Sequence, residues 1–351
     1  MTSPRFNRRP PRTTAGRGAA YPTSPRRPGG RNRLLAGAIV ALVGLLAGCG
    51  LRLETPPPDS LTPDVNEVAR QRASADAVGI EVLAGASGGD PADATTAIRS
   101  TVTAAAGEHL DHLGGIYRSG LATPTPSEGS SPAVTGTGDP AAASTDAVLA
   151  QLALTAANAR ADALVVPDGA LARLLASVSA ARFLLARQLA VAAGLPAPDV
   201  PAVTAGATPP AGVAPSAISA LVAGEDEAGY GFEVIAAKLA DAARASALAR
   251  AAVHRARAEH WATLAEISRT DLDPRRTAYA LPAGLDDPAV ATALAQTMEQ
   301  SLAASYASLV ADAEPASRAG LIDAIAEATA QAAAWGAPIP PFPGLPERLP
   351  G

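Results

Sequence analysis

The sequence predicts an all-α protein made of two helical regions. Between its proline-rich breaks the chain is dominated by Ala, Leu, Arg and Glu, which lose little conformational freedom in a helix. No stretch alternates apolar and polar residues as a half-buried strand would. Helix-start signals recur at Pro63 with Asp64, Asp90 with Pro91, Asp287 with Pro288, and Glu314 with Pro315, where a first-turn proline sacrifices no hydrogen bond.

The first element, residues 1–48, reads as a signal peptide. Nine arginines from Arg5 to Arg33, with no acidic residue among them, precede an uncharged apolar run from Leu34 to Gly48. That run falls short of the roughly 20 residues that span a bilayer, so a secretory signal fits better than a permanent membrane helix. It ends in Leu46-Ala47-Gly48-Cys49, which resembles the bacterial lipobox, and Cys49 is the only cysteine of the chain. The resemblance implies cleavage before Cys49, attachment of diacylglycerol to its thiol, and anchorage to the outer face of the cytoplasmic membrane. A single cysteine also leaves no intrachain disulfide, so the exported fold must stand without staples.

Residues 49–62, with Pro56-Pro57-Pro58, form a proline-rich tether that favours an extended spacer. An N-terminal helical domain is expected at 63–194, with helices near 63–84, 91–118, 145–165 and 167–194. A Pro/Gly/Thr-rich linker follows at 195–214. The C-terminal domain, 215–351, should hold helices near 215–241, 244–269, 287–313 and 315–336, then a proline-rich tail. Four antiparallel helices per half is the natural count for a bundle. The halves also share short matches in the same order, Glu108-His109-Leu110 with Glu259-His260-Trp261 and Leu149-Ala150-Gln151 with Leu294-Ala295-Gln296, which fit either a duplication or the coincidences that alanine-rich helices readily produce.

Removing the first 48 residues leaves 19 basic against 33 acidic groups, a net charge of −14. That charge argues against nucleic acid as a partner. The partners expected are the membrane, through lipidated Cys49, and another envelope protein. Two short strings imitate catalytic motifs. Gly85-Ala86-Ser87-Gly88-Gly89 matches the letters of a nucleophile elbow and Gly136-Thr137-Gly138 those of a phosphate loop, but no strand precedes either.

The stretches "LVAGEDEAGYGFEVIAAKL", "HRARAEHWATL", "TAYALP", "ALAQTMEQSLAASYASLV" and "FPGLPE" resemble a family of actinobacterial ferritin-like domains of unassigned function. The resemblance implies a ferritin-like four-helix bundle in the C-terminal half. Glu225-Asp226 stands where that family often has Glu-His, and the chain contains no Glu-x-x-His, the sequence that ferritin-type di-iron bundles carry on two helices.

One carboxylate is out of place. Ile218, Leu221, Val222, Phe232 and Leu239 mark an apolar stripe, and Glu225 falls within it. A buried carboxylate needs a partner or takes up a proton. Arg257 is expected as the first partner, His254 as the second, and Glu299 through either of them. The same residues, Glu225, His254 and Glu299, are the donor set for a metal-binding or redox alternative using iron or manganese. A weaker cluster is Glu108, His109 and His112, whose spacings of three and four place each pair on one helix face. Its alternative is a polar helix end with a histidine beside the carbonyl dipole. The function expected from all this is an exported, lipid-anchored envelope protein of binding or scaffold type.

Overall fold

The computed structural model describes residues 62–86, 93–117, 143–204 and 206–348. The signal, Cys49 and nearly all of the tether lie outside the described residues, as does most of each imitated motif. Among the described residues the structure is helical and contains no strand. Helices α1 (Val65–Gly85), α2 (Ala94–His112), α3 (Thr145–Ala163) and α4 (Gly169–Ala192) form the first half, and α5 (Pro215–Lys238), α6 (Asp241–Leu264), α7 (Pro288–Asp312) and α8 (Ala319–Ala334) the second.

Side-chain caps set most of the starts. Asp64, Ser144, Asp168 and Asp287 each accept a hydrogen bond from a backbone N–H of the first turn. One expected start lies outside the described residues and another moves. Asp90 and Pro91 belong to the first case; the described helix α2 begins at Ala94, where Asp93 accepts from the N–H groups of Thr95 and Thr96. Glu314 and Pro315 open only a 3-10 turn, Pro315–Ser317, and α8 begins four residues later. Between the two, buried Arg318 donates to the carbonyls of Ala313, Ala163 and Val166, which fixes the chain there before the helix starts.

Three pairings recur in both halves, and the first half adds α2 on α4. Helix α1 packs on α2 and α3, and α3 on α4; likewise α5 packs on α6 and α7, and α7 on α8. The sequence reading divides the chain at 195–214, yet residues from both sides of that segment enter one core. It runs from Ala73 of α1 through Leu175 and Val178 of α4 to Phe232, Tyr306 and Ile325 of the second half. Helix α4 packs on both α7 and α8. It is long and apolar enough to cross a membrane by length and composition, but it is largely buried among its neighbours, as a central core helix is.

Segment 195–214 is itself tied down. The N–H of Glu314 donates to Ala211 O at 2.8 Å, and the N–H of Ala211 donates to Ser317 Oγ at 3.1 Å. The tail is tied down too, and to both halves. Phe342 is buried in the shared core, and Ser177 of α4 donates its hydroxyl to Pro343 O at 2.8 Å. Gly344 turns at φ 77° so closely over α7 that a Cβ there would stand 2.6 Å from Ala303 O.

Candidate functional site: a buried ion network

Helix α5 turns Ile218, Leu221, Val222, Phe232 and Ile235 inward, and the same face buries Glu225 completely. The partners of Glu225 come from two neighbours. His254 of α6 places Nδ1 2.7 Å from Glu225 Oε2, and Tyr306 of α7 donates its hydroxyl to Glu225 Oε1. The other ring nitrogen, His254 Nε2, lies 3.3 Å from Glu299 Oε1, also fully buried. The ring stacks on Phe232 with an interplanar angle of 13°.

Arg250, one turn before His254, continues the chain of contacts. Its guanidinium donates from Nη2 to Glu299 Oε2 at 2.7 Å and to Glu327 Oε2 of α8 at 3.1 Å, with further bonds from Nε and Nη1 to the same two carboxylates. Arg257 donates from Nη1 to Glu327 Oε2 at 3.0 Å. Three carboxylates thus face two arginines and a histidine. Burial disfavours the charged imidazole, but hydrogen bonds to Glu225 and Glu299 outweigh it and hold the His254 pKa above its usual value. With His254 protonated the network sums to zero charge, the condition under which buried ions are tolerated. Burial would raise the pKa of Glu327, yet the charges of Arg250 and Arg257 bring it below the usual value. Burial, and then the charge of Glu225, push that of Tyr306 well up.

Glu225, His254 and Glu299 therefore meet, as the sequence suggests, but Arg257 is not the partner of Glu225. Its hydrogen bond goes to Glu327 instead. Sequence reasoning missed Arg250 and Glu327. Arg250 carried a signal, since a residue four before His254 shares its face. Glu327 carried none, because α8 buries the residues on both sides of it, Ala326 and Ala328, so nothing marks it as out of place.

The weaker cluster has a different role. His109 is buried and donates from Nε2 to Pro341 O at 2.7 Å, while burial, with the charge of Arg182, lowers its pKa to about 3. The rings of His109 and His112 stand edge-on to Phe342 at 5.3 and 4.7 Å. His112 also accepts from Arg348 at 2.6 Å, and Glu108 stands 3.9 Å from it. These residues hold the tail.

Asp226, next to Glu225, anchors the loop after α6: it accepts from the Tyr279 hydroxyl at 2.8 Å and from Arg255. Two of the stretches quoted above, "GEDEAGY" and "TAYALP", are thereby joined.

A di-iron bundle needs carboxylate oxygens and imidazole nitrogens directed at shared metal positions. Here a guanidinium lies across Glu299 and Glu327, and both nitrogens of His254 face carboxylates. Among the described residues no group of three or more His, Cys, Asp or Glu is arranged to hold a metal ion.

No curated protein and no solved structure matches the chain. Residues 217–347, which include every member of the buried network, match the model of a family described as a domain of unknown function (DUF4439).

Proposed function

We propose that this is an exported envelope protein, anchored by lipid at Cys49, whose folded part is a binding or scaffold module with a ferritin-like bundle in its second half. The observation that carries the reading is Arg250, whose guanidinium contacts both Glu299 and Glu327. An arginine there does electrostatically what metal ions do in carboxylate-bridged bundles: it neutralises inward carboxylates from facing helices, but offers no open coordination position and no redox chemistry. The bundle is thereby a rigid support rather than a reaction centre. The lipobox-like stretch before Cys49 and the proline-rich tether support surface placement.

Metal analysis of the untagged protein, purified without chelator, tests this. Less than a tenth of an equivalent of iron, manganese or zinc is expected, on the order of adventitious binding. Near-stoichiometric iron or manganese would overturn the reading in favour of a metal-binding or redox protein.

A further inference from the structure

The buried network has two ends, and both come out at one cavity. Tyr306, bound to Glu225, and Arg257, bound to Glu327, line the same space of 690 Å³, and His260 and Trp261 lie between them in sequence on its wall. A volume of about 300–1,000 Å³ is typical of sites for small organic molecules. The rest of the wall is mostly small and apolar, including Val253, Ala256 and Leu321.

Among the described residues, two basic side chains at this cavity have nitrogens without a protein partner, and His260 can donate to an anion from its Nε2–H tautomer. Arg257 spends Nη1 on Glu327, and its other N–H groups have no acceptor among the described residues. His260 Nε2 is enclosed by protein and has no hydrogen-bond partner. Such an atom loses its hydration without compensation until something pairs with it. Among the described residues no carboxylate side chain lines the cavity to repel an anion. Beside these groups the Trp261 indole offers an apolar face with little conformational entropy to lose.

We propose that this cavity binds a small amphipathic anion, with a carboxylate or phosphate head on Arg257 and His260 and an apolar body along Trp261 and the alanine-lined wall. The proposal rests on the reading of the network as an ion network, because that reading leaves Arg257 held at the cavity wall by Glu327. The head group would join the end of a hydrogen-bonded chain already fixed by four helices. The site is therefore preorganised, and little entropy is lost in ordering it.

Calorimetric titration of the full chain tests it with four probes that differ only in the head group: decanoate, decyl phosphate, decanol and decylammonium. The two anions should bind, and decanol and decylammonium should bind about tenfold more weakly or worse, the loss expected for one charge-assisted pair. Whichever anion binds more tightly distinguishes a carboxylate source from a phosphate one. Arg257→Met should weaken anion binding about tenfold or more. Since that change also touches Glu327, a second variant, Ala256→Trp, fills the cavity without touching the network and should abolish binding while leaving the melting midpoint near that of the wild type. Equal binding of all four probes, no binding of either anion, or full anion binding by Ala256→Trp would each overturn the proposal. Titrations repeated with chelator separate the two readings. Anion binding lost only in chelator would mean that a metal, not Arg257, holds the head group. Anion binding absent with and without chelator would overturn the cavity assignment alone.

Discussion

The imidazole of His254 and the carboxylate of Glu225 lie 2.7 Å apart across the α5–α6 interface, and solvent reaches neither side chain. A neutral imidazole has one N–H and cannot donate to Glu225 and Glu299 together. The carboxylate at each ring nitrogen therefore calls for the imidazolium. The pair is the centre of a neutralised cluster that joins four helices, so its effects should appear in stability and in pH dependence.

Removing Glu225 leaves a buried imidazolium and a buried phenol without their shared acceptor. Glu225→Ala should cost roughly 3–5 kcal/mol, the usual penalty for stranding a buried charge, and Tyr306→Phe about 1–2 kcal/mol for one hydrogen bond. Urea denaturation of the two variants checks both values. Wild-type midpoints in both would mean that Glu225 is solvated in solution.

The two buried histidines should give opposite pH slopes. His254 has a folded pKa above its unfolded value of about 6.5, so its contribution is complete below that pH and is lost as pH rises through the folded pKa. His109 is held to about 3 when folded, against 6.5 for the free group, so the unfolded chain protonates first and stability falls as pH drops below about 6.5. Denaturation midpoints measured between about pH 5 and pH 9 should lose their alkaline slope in His254→Gln and their acid slope in His109→Gln. A glutamine at 109 can still donate to Pro341 O. An unchanged slope in either variant would contradict the assignment for that residue.

The helical class, the eight helices among the described residues and the inward place of Glu225 were legible because composition, caps and a single stripe carry them. What was not legible depends on which helix faces which. Glu225 could be matched to Arg257 or to His254 on spacing alone, since both lie on one face of α6; only the rotation of α6 against α5 and α8 decides. Glu327 was hidden because its neighbours Ala326 and Ala328 are themselves buried, so its position on α8 does not mark it as a partner. The 195–214 segment looked like a free linker because its composition is that of one, yet its backbone amide at Ala211 bonds Ser317 and its carbonyl accepts from Glu314. Composition reports what a segment cannot form, not what it touches.

The tail should contribute to global stability rather than fray. Phe342 is 1% exposed and wedged beside His109 and His112, so Phe342→Ala should cost roughly 3–5 kcal/mol. Gly344→Ala should also destabilise, because it adds a left-handed backbone strain and a contact with Ala303 O. Limited proteolysis followed by mass spectrometry reads both, with cleavage after the α8 end appearing in the variants and not in the wild type. Equal protection in all three proteins would show that the tail is held without Phe342.

Cys49→Ser should release the protein from the membrane fraction, since serine offers no thiol to acylate and one uncleaved apolar stretch of about 15 residues is short for a stable span. Carbonate washing followed by immunoblotting measures it. Retention of the variant in the membrane would contradict lipid anchorage.

The central claim is that arginine and histidine, not a metal, neutralise the carboxylates between α5, α6, α7 and α8. It is tested most directly by the melting midpoint of the wild-type protein, first stripped with chelator and then titrated with manganese or ferrous iron. A ligand that prefers the native state raises the midpoint with its concentration, by about 2.7 kcal/mol of stability at a hundred times its Kd. The account predicts that stripping leaves the midpoint unchanged and that neither metal raises it. A midpoint that falls on stripping and climbs again with added metal would contradict the account.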